Sequence, residues 1–420
     1  MARTRQGRSR SAYSRLPKSS CRRKLRNGTR AEAPGDSTTG QHDGRDQQIE
    51  ATVYEQAPAR TDVGAGLVVS PNAVRLLRGL GQLDRFRERA VPLQVGWEFR
   101  RWEDGRVLFS QNLGEACERR FGEHSYVAHR ADLLAAVRAA VPEAALRLGT
   151  RLAGLRRLDE AVELTFTDGT REVAHVVVGA DGVHTTVGRY VTEAGSPRFS
   201  GICAWRCLVP AENAPEFARH PVQTLWLGPE RHLVHYPISA GTQINIVAFG
   251  PAYDWTTESW STEGRIEDLR AEFAGWADDL RALLAAAERT GRWALLDRDP
   301  LPRWTNGPVA LLGDAAHPMF PFFAQGAAQA MEDAAVLAAC LADQPEDPSA
   351  ALRRYEDIRH PRATRVQRMS RGRAESNHLP DGPAQQARDA SFSSADPFAQ
   401  SGWIYGHDAE RSVREALAAG

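Results

Sequence analysis

Two short apolar runs, each closing on a glycine and a carboxylate, restrict the fold more than anything else in the chain. Val176-Val-Val-Gly-Ala-Asp181-Gly182 and Pro308-Val-Ala-Leu-Leu-Gly313-Asp314 read as buried strands opening into glycine turns. In an open α/β sheet the carboxyl ends of such strands present side chains to a ligand. Ile49-Glu-Ala-Thr-Val-Tyr-Glu55 alternates as a further strand ending in an acid. Pro71 to Gly81 follows as a short amphipathic helix with proline at its start and glycine at its end. His129 opens another helix, and hairpins are predicted across Asp104-Gly105 and Asp168-Gly169. Residues 198–250 follow a different grammar: Trp205, Cys207 and Val209, then Thr224–Trp226, Leu233–Tyr236 and Ile244–Phe249, are short strands without helices between them. That pattern predicts an inserted antiparallel sheet, a candidate substrate wall. Helical periodicity returns near 266–288, from Gln325 through Leu341, and as a basic amphipathic helix around 350–371.

Composition removes several function classes. Basic and acidic residues both number 53, which gives no overall electrostatic case for nucleic acid or an anionic membrane. No run of apolar residues is long enough to span a bilayer. Five scattered cysteines without a Cys-x-x-Cys pair argue against a disulfide framework or a zinc site, so no metal is expected and a reducing cytoplasm fits. Residues 1–31 carry eleven basic side chains and no acid. Together with the polar run up to residue 48 they predict disorder. A solvated tail, a transit peptide, a basic arm and a shifted reading frame are the competing explanations of that segment.

Neither Gly-Asp motif is specific alone, because glycine and aspartate after a strand more often make a turn or a cap. The residues after the second motif add weight. From His317-Pro318 to Gln325-Gly326-Ala327-Ala328 the chain brings a proline-shaped loop into a helix start, whose free amides suit an anion or developing negative charge.

With these runs in place the sequence resembles the single-component FAD-dependent aromatic hydroxylases of the p-hydroxybenzoate and salicylate hydroxylase type. The matching segments are Ala51–Pro58, Val63-Gly-Ala-Gly66 with Ser70–Ala73, His129-Arg130, Val178–His184, Leu312–Pro318, Gln325–Ala328 and Glu332–Ala334. His232-Leu-Val-His-Tyr236-Pro and Gly402–Asp408 tilt the resemblance toward enzymes acting on hydroxybenzoates and hydroxynicotinate. The resemblance implies an FAD-binding Rossmann-like domain (49–91, 113–197, 298–345) interleaved with an antiparallel substrate domain (92–112, 198–297), then a C-terminal helical region (346–420). It implies oxygen transfer from a flavin hydroperoxide to a small phenolic or heteroaromatic ring, with O2 and transiently bound NAD(P)H as co-substrates. A polyketide or indole substrate, or a remnant unable to retain FAD, is the alternative. Nucleic-acid and membrane partners are not expected, and a homodimer is left open.

Residue by residue, the resemblance assigns Glu55 to the adenosine ribose, Arg130 to the FAD linker, and Asp181 with Gly182 to a segment serving both nucleotides. Gly313 and Asp314 fall at the ribityl chain, Gln325, Gly326, Ala327 and Ala328 at the pyrimidine edge of the ring, and Pro318 over its reacting side. His232 and Tyr236, four apart, share one face of a regular strand and become the candidates for contacting and deprotonating the substrate, with His235 pointing away. Without the resemblance such residues would read as ordinary edge or core residues. Three departures stand out: Thr185 and Gly188 where serine and arginine are usual, with Arg189 one place late; the apolar Leu67-Val68-Val69; and no Gly-x-Gly-x-x-Gly turn ahead of Ile49. The last predicts an open place in the middle of the parallel sheet and weak retention of FAD.

Overall fold

The structure is a computed structural model that describes residues 49–58, 65–193, 195–253, 255, 262–392, 396 and 398–419. Residues 1–48, and Val63 and Gly64 of the Val63-Gly-Ala-Gly66 run, lie outside the described residues, so the expectations placed on them are not addressed by it.

The largest element is an eight-stranded sheet. Its order is Glu263–Gly264, Thr290–Asp297, Arg198–Pro210, Gln243–Pro251, Arg231–Ile238, Val222–Gly228, Val95–Arg101 and Val107–Asn112. The expected antiparallel sheet needs one correction: Val222–Gly228 runs parallel to Val95–Arg101. Those two strands come from separate passages of the chain, so no tight hairpin constrains their direction. Alternation gives the sheet two buried faces. Trp205, Cys207, Trp226, Leu233, Ile244 and Ile246 pack on the helices Ile266–Glu272 and Asp278–Ala285. Residues of opposite parity, among them Ala204, Val247, Phe249 and Trp293, pack on Phe320 and Phe322.

Parallel strands form the second layer. Val177–Gly179 pairs with Val309–Leu311, and both sink into a core with Val336, Leu337, Cys340 and Tyr355. The hairpin across Asp168-Gly169 forms but ends at Ala174: Arg171–Ala174 pairs with Val162–Phe166, whereas Val177–Gly179 joins a different sheet. The 49–55 strand shortens to Val53–Tyr54, paired in parallel with Leu146–Arg147. Val53 is half exposed there. Among the described residues no ladder joins this pair to the Val177–Gly179 strand, and a two-residue register holds little chain extended.

Helices close the molecule. Gly326–Asp343 packs against Pro348–Asn377, a 30-residue helix that runs beyond the expected end near 371. Pro383–Phe392, Gly402–Tyr405 and Ala409–Ala419 follow. Among the described residues no helix is long and apolar enough to cross a membrane.

Candidate active site

Gly313 leaves the Val309–Leu311 strand with φ 61°, a left-handed conformation that glycine enters without a Cβ penalty. Its backbone N–H donates to Asp333 Oδ2 at 3.0 Å, so the turn is bolted to the helix behind it. Asp314 then projects from the turn. Its side chain is reachable by solvent yet crowded by protein on nearly every side, as the floor of a recess would be. Burial pushes its carboxyl above the usual value, while His317 and Arg130 pull it back down. Arg130 stands exposed at the first position of the Arg130–Arg138 helix, where its backbone N–H donates to Ala65 O at 2.9 Å.

The first turn of Gly326–Asp343 borders the same region. Gln325 turns its side chain inward, donating from Nε2 to Ser70 Oγ at 2.8 Å and accepting from Asn72 Nδ2 at 3.2 Å. Of the turn's other residues, Ala328 is buried and Ala327 exposed, and nothing lies within 4 Å of where a side chain on Gly326 would begin. The open face of this terminus is therefore backbone, with no acid in the first turn to occupy its amides. Pro318 is buried, and its carbonyl accepts from Gln367 Nε2 at 2.8 Å, which fixes the loop to the long helix.

Asp181 spends its carboxylate locally. One oxygen accepts from Thr185 Oγ1, and the other from the backbone N–H of Thr186 (2.7 Å) and Val187 (3.1 Å). The carboxylate is thus a cap for the turn it begins, with Gly182 at φ 77° completing that turn. Gly188 is explained by the same cap: a Cβ there would fall 2.3 Å from Thr185 Cγ2. A polar cavity of about 260 Å³ lies beside this turn, lined by His184, Thr185, Arg189, Ser196 and Arg298. Asp314 is not among its lining residues. Glu55 is exposed at the end of its short strand and accepts from Ala57 N–H at 2.8 Å.

Beneath the Asp314 turn lies a buried ionic network that sequence reading did not assemble. Arg359 donates to Glu332 Oε2 (2.6 Å), Asp333 Oδ1 (2.8 Å) and Gln329 Oε1 (2.8 Å). Arg362 grips both Glu332 oxygens, and His317 Nε2 meets Asp333 Oδ2 at 2.6 Å. Asn72 also donates to Glu332 at 2.7 Å. Burial opposes ionisation of both acids, but Arg359 and Arg362 outweigh it at Glu332, and His317 with Arg359 at Asp333. Each carboxyl is held down at about 2. His317 is thereby a structural member of this network.

Across the recess stands the Arg231–Ile238 strand. Its register to Gln243–Pro251 is unbroken from His232↔Phe249 to Tyr236↔Asn245, so His232, Val234 and Tyr236 share one face. His235 lies on the other face, against Phe217 and Trp226. His232 is fully enclosed: its ring stacks on Phe249 at 4.6 Å, meets the edge of Phe322 at 5.1 Å, and places Nδ1 2.7 Å from His378 Nε2. Burial first, then His378 and Arg373, pushes its pKa well below the usual value. Burial raises the Tyr236 hydroxyl far above its ordinary value, although Arg206 pulls the other way. Arg206 lies over Trp293 at 4.6 Å and is lowered to about 10, chiefly by burial. Arg130 acts electrostatically on both Arg206 and Asp314. A further strand, Gly66–Val69, pairs antiparallel with Tyr126–His129 and touches the broad sheet at Gly66, whose N–H donates to Asn245 Oδ1 at 2.8 Å. A Cβ on Gly66 would sit 2.6 Å from Tyr236 Cε2.

Sequence reasoning missed His378, Arg206 and Arg359. A lone histidine past a helix end carries no local signal, whereas the arginines sat in segments correctly read as strand and helix.

The FAD binding domain family matches residues 46–370. The chain is 42% identical over 361 residues to a 3-amino-4-hydroxybenzoate 2-monooxygenase of Streptomyces platensis, covering 86% of this chain and 91% of that protein. It is 36% identical to a 6-hydroxynicotinate 3-monooxygenase of Bordetella bronchiseptica, over 76% of this chain and 83% of that one. Among solved structures, Klebsiella pneumoniae HpxO complexed with FAD and uric acid superposes with a TM-score of 0.74 at 27% identity, covering 86% and 90% of the two chains. On the chain's side, the recessed carboxylate of Asp314, the open helix terminus at Gly326 and the nearby Arg130 suit the polyhydroxylated and ring portions of that cofactor. No glycine-rich pyrophosphate cradle occurs among the described residues. The chain belongs to the single-component FAD-dependent aromatic hydroxylases, and it is a monooxygenase acting on a small aromatic substrate.

Proposed function

We propose that the substrate is an aromatic acid bearing a ring hydroxyl, of the hydroxybenzoate or hydroxynicotinate type, held between the Arg231–Ile238 strand and the Pro318–Phe322 loop. The observation that carries this reading is that His232 and Tyr236 share one strand face, the face on which Phe320 and Phe322 of the loop after Asp314 pack. The 3-amino-4-hydroxybenzoate and 6-hydroxynicotinate relatives support the same substrate class.

When bound, FAD supplies hydride acceptance from NAD(P)H and activation of O2. The residues of this chain do the rest. Asp314 would accept hydrogen bonds from the ribityl hydroxyls, and the free amides at Gly326 and Ala327 would face the ring's polar edge, where negative charge develops. Tyr236 stays protonated and donates a hydrogen bond to the substrate's oxygen. His232 is uncharged and so offers an acceptor nitrogen toward which the ring hydroxyl can be drawn and deprotonated, which makes the ring a stronger nucleophile. Phe249 and Phe322 keep water away from that nitrogen-bearing wall, and Pro318 closes the reacting side. Four buried free thiols, Cys117, Cys203, Cys207 and Cys340, fit a reducing, cytoplasmic setting.

The test is a panel of hydroxylated aromatic acids and heteroaromatics, following NAD(P)H oxidation together with product mass. A product heavier by one oxygen is expected with a hydroxylated aromatic acid. Turnover confined to compounds without a ring hydroxyl contradicts the reading.

A further inference from the structure

The far end of the Pro348–Asn377 helix reaches the substrate wall at one point. His378, the residue at its C-cap, sets Nε2 2.7 Å from Nδ1 of His232. The approach is built from both sides. The His378 carbonyl accepts the N–H of Glu230, in the turn that leads into the His232 strand, at 3.1 Å. Three residues on, Asp381 accepts from Arg101 Nη2 at 2.6 Å, which ties the same segment to the edge of the sheet. His378 is thus attached to the backbone of the hairpin that carries its ring partner.

We infer that His378 is a positioning residue for hydroxylation: it accepts the Nδ1 proton of His232, fixes that tautomer and ring plane, and so leaves Nε2 as the nitrogen that takes the substrate's proton. The inference rests on the proposed role of His232. Its logic is that of a neutral imidazole pair. Two neutral rings at hydrogen-bond distance share one proton between the facing nitrogens, so one ring donates and the other accepts. If His378 Nε2 held that proton, His232 would carry its own on Nε2 and could not act there as a base. With Nδ1–H of His232 donating instead, His378 carries its proton on Nδ1, and the base is armed at Nε2.

The surroundings keep both rings uncharged. His232 stands among Phe249 and Phe322, and Arg373, in a cage of Trp97, Phe99 and Phe323, faces it from the Pro348–Asn377 helix. Arg231 on the strand repels positive charge at His378, which burial and that repulsion lower to about 4. No carboxylate is hydrogen-bonded to either ring among the described residues. Of the acids nearby, Glu272 and Glu230 lie against Arg231 and Asp381 is paired with Arg101.

The test uses the FAD-loaded full chain and three variants. His378→Gln keeps an acceptor for Nδ1–H, His378→Phe keeps the ring's bulk and removes the acceptor, and His232→Gln removes the proposed base. In 15N-resolved imidazole spectra His232 should be protonated at Nδ1 in the wild type, should remain so in His378→Gln, and should become a tautomer mixture in His378→Phe. Hydroxylation per NAD(P)H oxidised should fall at least about tenfold in His378→Phe and by less than about threefold in His378→Gln, with substrate KM little changed. Equal losses in both His378 variants, or wild-type coupling in His378→Phe, overturn the inference. If His232→Gln hydroxylates normally, it is the role of His232 that fails, whatever His378 does.

Discussion

Tyr236 and His232 are held neutral by one cause, removal from water, with opposite consequences for their chemistry: the phenol keeps its proton and the imidazole lacks one. A wall that offers a donor and an acceptor side by side suits a substrate hydroxyl that must be both oriented and deprotonated. Tyr236→Phe removes the donor and leaves the ring's packing. It is expected to retain part of the substrate-stimulated NAD(P)H oxidation while diverting oxygen to hydrogen peroxide, measured as peroxide released per NAD(P)H consumed. Unchanged hydroxylation yield removes Tyr236 from the mechanism. Asp314 is the complementary case on the side proposed for the flavin. Asp314→Ala loses a charge-assisted hydrogen bond to a hydroxyl and is expected to weaken FAD binding by roughly 1.5–3 kcal/mol, about 10- to 150-fold in Kd. Flavin-fluorescence titration measures this, and equal affinity refutes the placement. Gly66→Ala places a methyl against Tyr236 and Asn245, so substrate-stimulated oxidation should uncouple even though residue 66 has no reactive group. Normal coupling in that variant means that the close approach of residue 66 to Tyr236 does not matter for hydroxylation.

At the scale of elements, the Gly326–Asp343 and Pro348–Asn377 helices are joined through two buried acids and two arginines. Breaking one member is costly because it strands its partners without compensation. Arg359→Met should lower the unfolding free energy by about 3–5 kcal/mol, read as a shifted urea midpoint. The same network sets an acid limit. Glu332 and Asp333 titrate at about 2 when folded and near the ordinary carboxylate range when unfolded, so the unfolded chain binds more protons between those values. Their contribution is full above about pH 5 and disappears as the pH falls toward 2. The slope of stability against pH in that window should flatten in the Glu332→Gln, Asp333→Asn double variant. A slope identical to wild type means that other carboxylates dominate acid unfolding. This network shows where sequence reading stops. Periodicity reported that Gln325–Leu341 and 350–371 were helices, because a buried stripe repeats locally. It could not report that Ser70 and Asn72 meet Gln325 and Glu332, since pairing across more than about 250 positions leaves no local pattern, nor which arginine of the basic helix turns into the seam. The helix end at Asn377, and with it His378, was placed too early although Pro380 follows closely, because the polar residues after 371 carry no apolar stripe to extend the pattern.

Over the whole molecule, one layer of parallel strands carries Asp314 and the helix terminus, and one broad sheet carries His232, Tyr236 and Arg206. The change from alternating strands and helices to strands alone was legible because it follows from hydrophobic period and turn residues. The parallel pairing inside the broad sheet was not, because strand direction is decided by where the chain returns, which local sequence does not encode. The central claim is that the recess between the layers inserts one atom of dioxygen into the ring of a hydroxylated aromatic acid. The most direct test is a turnover under 18O2 with NAD(P)H and the best substrate of the panel, the product analysed by mass. The expected product carries one 18O, formed by wild type and sharply reduced relative to NAD(P)H consumed in Tyr236→Phe. A product whose new oxygen comes from water, or full labelling efficiency in that variant, would contradict the claim.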